Sequence, residues 1–306
     1  MLDRGGTVLA GRYRVGELLG VGAMGSVWVA EQIVLRRKVV VKFHEASFAA
    51  AGGKIAVARF LREARTLASV RHRNVTELYE VGHTPSGEPY LILELLEGET
   101  LARRLTRERT LIIGDALHVA TELCRGLEAV HAAGVLHRDI KPENIFLHEQ
   151  DGELIPKLLD FGLARPIKAG ERLTWSGSAV GTPGYMAPEQ ARGRTDLDGR
   201  ADLFSLGVTL YEMLSGELPF AGETMSELLH AAASDDPIPL VVSRPDLAGP
   251  LADAVQKALA KRPSDRFTDA RAMRLALSAA RSSVPAPAVS AVRARARRNA
   301  TTPPYR

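Results

Sequence analysis

The sequence predicts an α+β fold in two lobes, the first rich in strands and the second mainly helical. Three observations carry this reading. Short alternating or β-branched runs crowd the stretch up to about residue 97. Apolar residues at helical spacing dominate from about Leu101 to Arg281, and the rhythm changes only once. With 306 residues and 45% hydrophobic content, the chain is long enough to bury a core of that size.

Residues 1–12 read as a leader. RYRVGELLG and SVWVAEQ then alternate as strands, and KVVVKF is short and β-branched, as a buried strand should be. AVARFLREARTLASV puts Phe60, Leu61, Ala64, Leu67 and Ala68 on one side of a helix. TELYEVG and PYLILELLEG are two more strands, separated by the turn-forming HTPSGE. In the second lobe, DALHVATELCRGLEAVHAAG is a helix with Asp115 as its expected cap and Gly134 at its end. DLFSLGVTLYEMLSG and PLADAVQKALA follow the same pattern. Two lobes, 13–97 and 98–281, imply a cleft between them, a usual place for a ligand.

Residues 282–306 are rich in Pro, Ala and Arg with little to bury, and read as a disordered linker or tail. This tail holds five arginines and no acidic residue, so it accounts for the net charge of +4. Without it, 35 basic residues face 36 acidic ones. The globular part therefore has no electrostatic footprint for nucleic acid. No apolar run approaches the ~20 residues of a bilayer span, and MLDRGGTVLAGRYR lacks a signal-peptide core, so a cytoplasmic protein is expected. The single cysteine, Cys124, excludes an intrachain disulfide, and the eight histidines show no metal-ligand spacing.

LGVGAMGSV supplies Gly20, Gly22 and Gly25. A dinucleotide fold would open a helix after the last glycine. Here an alternating stretch follows, so the glycines read as the bend of a hairpin whose N–H groups approach phosphates. Lys42 ends the VVVK strand, and Glu63 lies about two turns into the next helix. A Lys42–Glu63 pair would hold the ammonium toward polyphosphate oxygens. The stretch GVLHRDIKPEN then gathers His137, Arg138, Asp139, Lys141, Glu143 and Asn144 in one loop.

Taken in order, GVGAMGSV, VVVK, FLREA, HRDIKPEN, DFG and APE resemble the eukaryotic-type protein kinases, over roughly residues 13–281. The details AMGSVW, GTPGYMAPEQ and DLFSLGVTLYEMLSGELPF look most like the bacterial serine/threonine members. The resemblance implies a bilobal protein-kinase fold, with a β-rich N-lobe carrying the αC helix and a mainly helical C-lobe. It implies ATP as phosphoryl donor and Mg²⁺ as metal, with Mn²⁺ as a substitute.

In that family Asp139 would accept or orient the hydroxyl proton of the substrate. Lys141 would offset charge on the transferred phosphoryl group, Lys42 and Glu63 would form the phosphate-facing pair, and Asn144 and Asp160 would hold the metal. Leu19, Val27, Val40, Phe146 and Leu159 would enclose the adenine, with Leu93 setting the depth and the backbone of Glu94 and Leu96 pairing with its edges. Thr182 would bind Asp139 and Lys141. Thr174 and Ser176 would be phosphorylated and bind Arg138, with Arg165 able to join. Glu189 would pair with Arg266, and Asp202 would brace the catalytic loop.

Serine- and threonine-bearing proteins would be the substrates, with self-association allowing trans-autophosphorylation. Three alternatives differ in signature. A pseudokinase loses Lys42, Asp139 or Asp160, and all three stand. A small-molecule phosphotransferase lacks GTPGYMAPE. A nucleic-acid role would rest on RARARR in the tail alone.

Overall fold

Side-chain alternation builds the first lobe. In the computed structural model, which describes residues 4–22, 25–44, 61–161 and 183–282, six strands form one antiparallel sheet. They are β1 (Val8–Leu9), β2 (Tyr13–Gly22), β3 (Gly25–Gln32), β4 (Arg37–His44), β5 (Leu78–His83) and β6 (Pro89–Glu94), in the spatial order β1-β2-β3-β4-β6-β5. Trp28 stands opposite Val41 and Val27 opposite Lys42, while Val41 faces Ile92 and Lys42 faces Leu91. Successive side chains point to opposite faces. One face therefore closes a core of Tyr13, Val15, Trp28, Ala30, Val39, Val41, Phe43, Tyr90 and Ile92. The other carries Val27, Val40 and Lys42 together.

Residues 61–68 form a helix, α1, whose Ala64 and Leu67 pack into the second core beside Leu78 and Leu91. Residues 4–12 belong to the first lobe and do not merely lead into it. Leu9 is buried, β1 pairs with β2, and the Arg4 guanidinium lies 4.0 Å above the Phe43 ring and 2.6 Å from Glu88.

A second sheet, β7 (Gly98–Thr100), β8 (Ile145–Gln150) and β9 (Glu153–Leu158), follows the connector. The β8–β9 hairpin went unread in the sequence. Its signal is Asp151-Gly152, both at positive φ (52° and 78°), the tight turn that an Asp-Gly pair favours. The helices are α2 (Leu101–Glu108), α3 (Ile113–Ala132), α4 (Pro188–Ala191), α5 (Arg200–Ser215), α6 (Met225–Ser234), α7 (Leu240–Ser243), α8 (Pro250–Ala258) and α9 (Ala270–Arg281). Asp115 is not the cap of α3. Ile112 holds that position, and Asp115 lies in the first turn, where a carboxylate suits the helix dipole. The helix stops at Ala132, two residues before Gly134. From Ala201 to Leu214, α5 is buried at every position but Glu212, as befits a helix apolar on all sides at the centre of a lobe.

Candidate active site

The polar loop 134–144 is held from below by one carboxylate. Asp202, in the first turn of α5 and 1% exposed, accepts the backbone N–H of His137 at 2.9 Å and of Arg138 at 2.7 Å. It also meets His131 Nε2 at 2.8 Å. These bonds fix Arg138 at φ 65°, a left-handed conformation that costs a non-glycine residue about 1–2 kcal/mol. Asp202 thus braces the loop, as expected; His131 was not foreseen. From the other side, Gln190 of α4 donates to the Arg138 carbonyl at 3.0 Å.

His137 is internal support. It is fully buried, its Nε2 lies 2.7 Å from the Leu159 carbonyl, and its Nδ1 accepts from Asp139 N at 3.3 Å. That pairing assigns the neutral Nε2–H tautomer, and burial holds the imidazole pKa below its ordinary value. Asn144 donates through Nδ2 to the Asp139 carbonyl at 2.8 Å and to Asp139 Oδ2 at 2.9 Å. Lys141 Nζ stands 4.0 Å from the same Oδ2. The loop therefore brings Asp139, Lys141 and Asn144 into one small volume.

Asp160 adjoins it. Leu159 N donates to the Asn144 carbonyl at 2.8 Å, and Asp160 takes φ 46°. Lys42 Nζ lies 2.5 Å from Asp160 Oδ1. Desolvation opposes ionisation of this carboxyl, but the Lys42 charge and hydrogen bond prevail and hold its pKa below the usual carboxylate range. The expected Lys42–Glu63 pair is not formed. Glu63 Oε2 instead lies 3.8 Å from Arg138 Nη1. Lys42 thus takes the carboxylate expected to hold metal, and Glu63 reaches the guanidinium expected to bind a phosphate.

On the nucleotide side, a Cβ added at Gly20 or Gly22 would meet nothing within 4 Å. Gly25 differs, because at φ 139° a Cβ there would lie 1.9 Å from the Phe43 carbonyl. Gly22 pairs with Gly25, and a strand follows, so these glycines close a hairpin and not a dinucleotide turn. Leu19, Val27 and Leu159 are partly exposed, and Val40 is 5% exposed. Phe146 departs from expectation. It is completely covered, on β8 opposite Thr100 of β7, and presents no surface of its own. Leu93 lies opposite Val40, and Leu96 is buried, leaving its backbone as its means of contact. The Glu94 N–H donates to Glu77 O at 3.0 Å.

Arg266 grips Glu189 through two bonds of 2.7 and 2.8 Å in a buried site, as expected. A cavity of about 320 Å³ opens beside the Pro142–Asn144 turn, lined by Pro142, Glu143, Tyr185 and Glu212 among others. Thr174, Ser176, Thr182 and Arg165 lie outside the described residues. For a divalent metal, the Asp160 carboxylate and the Asn144 side-chain amide oxygen are hard donors on adjoining backbone. They suit Mg²⁺, which needs few protein ligands when phosphates supply others. Among the described residues, no helix is long and apolar enough to cross a membrane.

The profile of the Protein kinase domain family matches residues 13–277. Serine/threonine-protein kinase Pkn1 of Myxococcus xanthus is 39% identical over 274 residues, covering 89% of this chain and 39% of the relative. Serine/threonine-protein kinase PknB of Mycobacterium tuberculosis is 37% identical over 270 residues, covering 87% and 42%. The chain thus spans about two fifths of the length of these relatives. The crystal structure of the Mycobacterium tuberculosis PknI kinase domain superposes with a TM-score of 0.73 at 26% identity, covering 91% of this chain and all of that one.

Proposed function

Because the chain belongs to the protein kinase domain family, we propose that it transfers the γ-phosphoryl group of ATP to serine and threonine hydroxyls of proteins in bacterial signalling. The observation that carries this reading is the junction of Asp139, Asn144 and Lys141 with the Lys42–Asp160 pair, on a loop whose backbone N–H groups the Asp202 carboxylate of α5 holds. Phosphoryl transfer passes through a loose transition state, so the protein's work is positioning and charge neutralisation.

In this reading Asp139 accepts the hydroxyl proton and Asn144 keeps that carboxylate in place. Lys141 and Lys42 neutralise phosphate charge. Asp160 and the Asn144 side-chain oxygen would hold Mg²⁺, which supplies Lewis-acid charge at the phosphates when bound. Gly20 and Gly22 leave room for phosphates against backbone, and Leu19, Val27, Val40 and Leu159 receive the base, with backbone contacts at Glu94 and Leu96. Thr174 and Ser176 are the proposed phosphorylated positions, answering to Arg138.

The test is direct. With Mg²⁺-ATP the purified chain should phosphorylate itself and a generic protein acceptor, on serine and threonine. Lys42→Met and Asp160→Asn should each remove nearly all transfer. Normal turnover in either variant, or a product dominated by phosphotyrosine, would overturn the assignment.

A further inference from the structure

A lysine in the buried end of a strand needs an explanation. β9 reads ELIPKL, and Lys157 is buried there between Pro156 and Leu158. An ammonium is placed in such a setting only with a partner. The partner is Glu94, whose Oε1 lies 2.7 Å from Lys157 Nζ. The same oxygen accepts the backbone N–H of Glu77 at 2.8 Å, and Glu94 returns its own N–H to Glu77 O at 3.0 Å. Glu94 is the last residue of β6, where the chain leaves the first lobe.

The segment that carries Glu77 is itself stitched to β9. Asn74 Nδ2 donates to the Pro156 carbonyl at 2.8 Å, Leu158 N donates to the Asn74 carbonyl at 2.9 Å, and Thr76 donates to the Leu158 carbonyl through both N and Oγ1. Two residues past Leu158 the chain reaches Asp160. One largely buried ion pair therefore ties the connector to β9, the strand that ends two residues before Asp160. Every other bond in this node runs through backbone at one end, so Lys157–Glu94 is the link whose removal leaves a buried charge.

We propose that Lys157 is a positioning residue for nucleotide binding: by satisfying the Glu94 carboxylate it fixes the connector backbone at Glu94 and Leu96 against which the base is bound. This rests on the kinase reading above. Without the ammonium, the Glu94 carboxylate keeps one backbone N–H and must seek water. The turn at the end of β6 then shifts, carrying the Glu94 carbonyl and the Leu96 backbone with it.

The experiment uses the full chain and measures initial rates against ATP at fixed protein acceptor, with ADP binding measured in parallel. Lys157→Met should raise the KM for ATP and weaken ADP binding by about tenfold or more, while kcat at saturating ATP and the KM for the acceptor stay within about threefold. Glu94→Gln combined with Lys157→Met removes the stranded charge and should restore ATP affinity to within about threefold of wild type. A merely structural lysine gives a different pattern: less active enzyme, hence lower kcat with unchanged KM in the single variant. That pattern, or a double variant no better than the single one, overturns the proposal. Should Lys157→Met fail to fold, Glu94→Gln alone decides. It leaves Lys157 without its anion and should raise the KM for ATP selectively, and an unchanged KM overturns the proposal. Absence of transfer by the wild-type chain would count against the kinase reading, whereas ADP binding tests Lys157 independently.

Discussion

Glu63 Oε2 lies 3.8 Å from Arg138 Nη1, while Lys42 Nζ lies 2.5 Å from Asp160 Oδ1. Lys42 is thus paired with Asp160 and not with Glu63, the partner that would hold its ammonium toward phosphates. The Glu63–Arg138 contact is long and its side chains are 24% and 20% exposed. Such a pair is worth at most about 1 kcal/mol. A phosphorylated loop brings about −1.5 to −2 charges and bidentate oxygens. If Thr174 or Ser176 carries such a group, as proposed, it would compete with Glu63 for Arg138, and Glu63 would then be available to Lys42.

Replacing Glu63 by Gln should therefore lower kcat/KM for ATP by about tenfold or more yet change stability by no more than about 1 kcal/mol. Phosphatase treatment should slow the wild type, as should alanine at both Thr174 and Ser176, and should leave an Arg138→Ala form nearly unchanged. Steady-state rates with thermal melts check all three. Full activity in Glu63→Gln, or in wild type with a loop shown by mass spectrometry to be unmodified, contradicts the exchange.

Two glycines of one loop should behave oppositely. Gly22→Ala meets open space, so its melting temperature should stay within a degree or two while its KM for ATP rises as the new methyl enters the phosphate region. Gly25→Ala forces a Cβ to 1.9 Å from the Phe43 carbonyl at a backbone angle of φ 139°. That hairpin must shift, at a cost of about 1–3 kcal/mol. Calorimetry alongside ATP titration separates the two effects, and equal stability losses would contradict the geometry.

Arg266 and Glu189 form a buried bidentate pair, with the guanidinium also donating to the carbonyls of Ala260, Lys261 and Arg200. Breaking such a pair by removing one partner costs about 3–5 kcal/mol. Glu189→Gln and Arg266→Met should each lose stability on that scale in urea denaturation. A loss below about 1 kcal/mol would mean that water reaches the pair.

What the sequence made legible was local. The strand alternation of SVWVAEQ and KVVVKF fixes which face carries Lys42, and the order of HRDIKPEN and DFG fixes the neighbourhood of Asp139 and Asp160. Glu189–Arg266 and the bracing by Asp202 also followed from the family pattern. The rest depended on choices between chemically equal partners. Nothing in the string says whether Lys42 takes Asp160 or Glu63, because α1 can present Glu63 to either cation. Nothing in the sequence marks Lys157, because its partner Glu94 lies 63 residues away on another strand. His131 sat in a helix pattern with no hint that Asp202, 71 residues on, would meet it. Phe146 is placed in the cleft by the resemblance, yet its side chain is fully covered, which the sequence does not reveal.

The last expectation concerns acid. His44 ends β4, 4% exposed, beside Lys42 and Asp160. Burial first, and then the Lys42 charge, push its pKa down to about 3, with Asp160 opposing. His137 is lowered as well, mainly by burial. Both imidazoles are neutral when folded and protonate near pH 6.5 when unfolded. A base whose folded pKa is depressed contributes stability that is complete above the unfolded value and is lost as pH falls below it. Each such histidine removes about 1.4 kcal/mol per pH unit below roughly 6.5, until its folded pKa is reached. Asp160 is held below its ordinary value by Lys42, so its contribution is complete above the unfolded carboxyl pKa of about 3.9 and lies outside this window. Urea midpoints should fall steeply between pH 6.5 and 5. His44→Leu should flatten that fall by about 2 kcal/mol at pH 5 relative to its own value at pH 7.5. An unchanged slope in the variant would show that His44 binds its proton equally in the folded and unfolded chain.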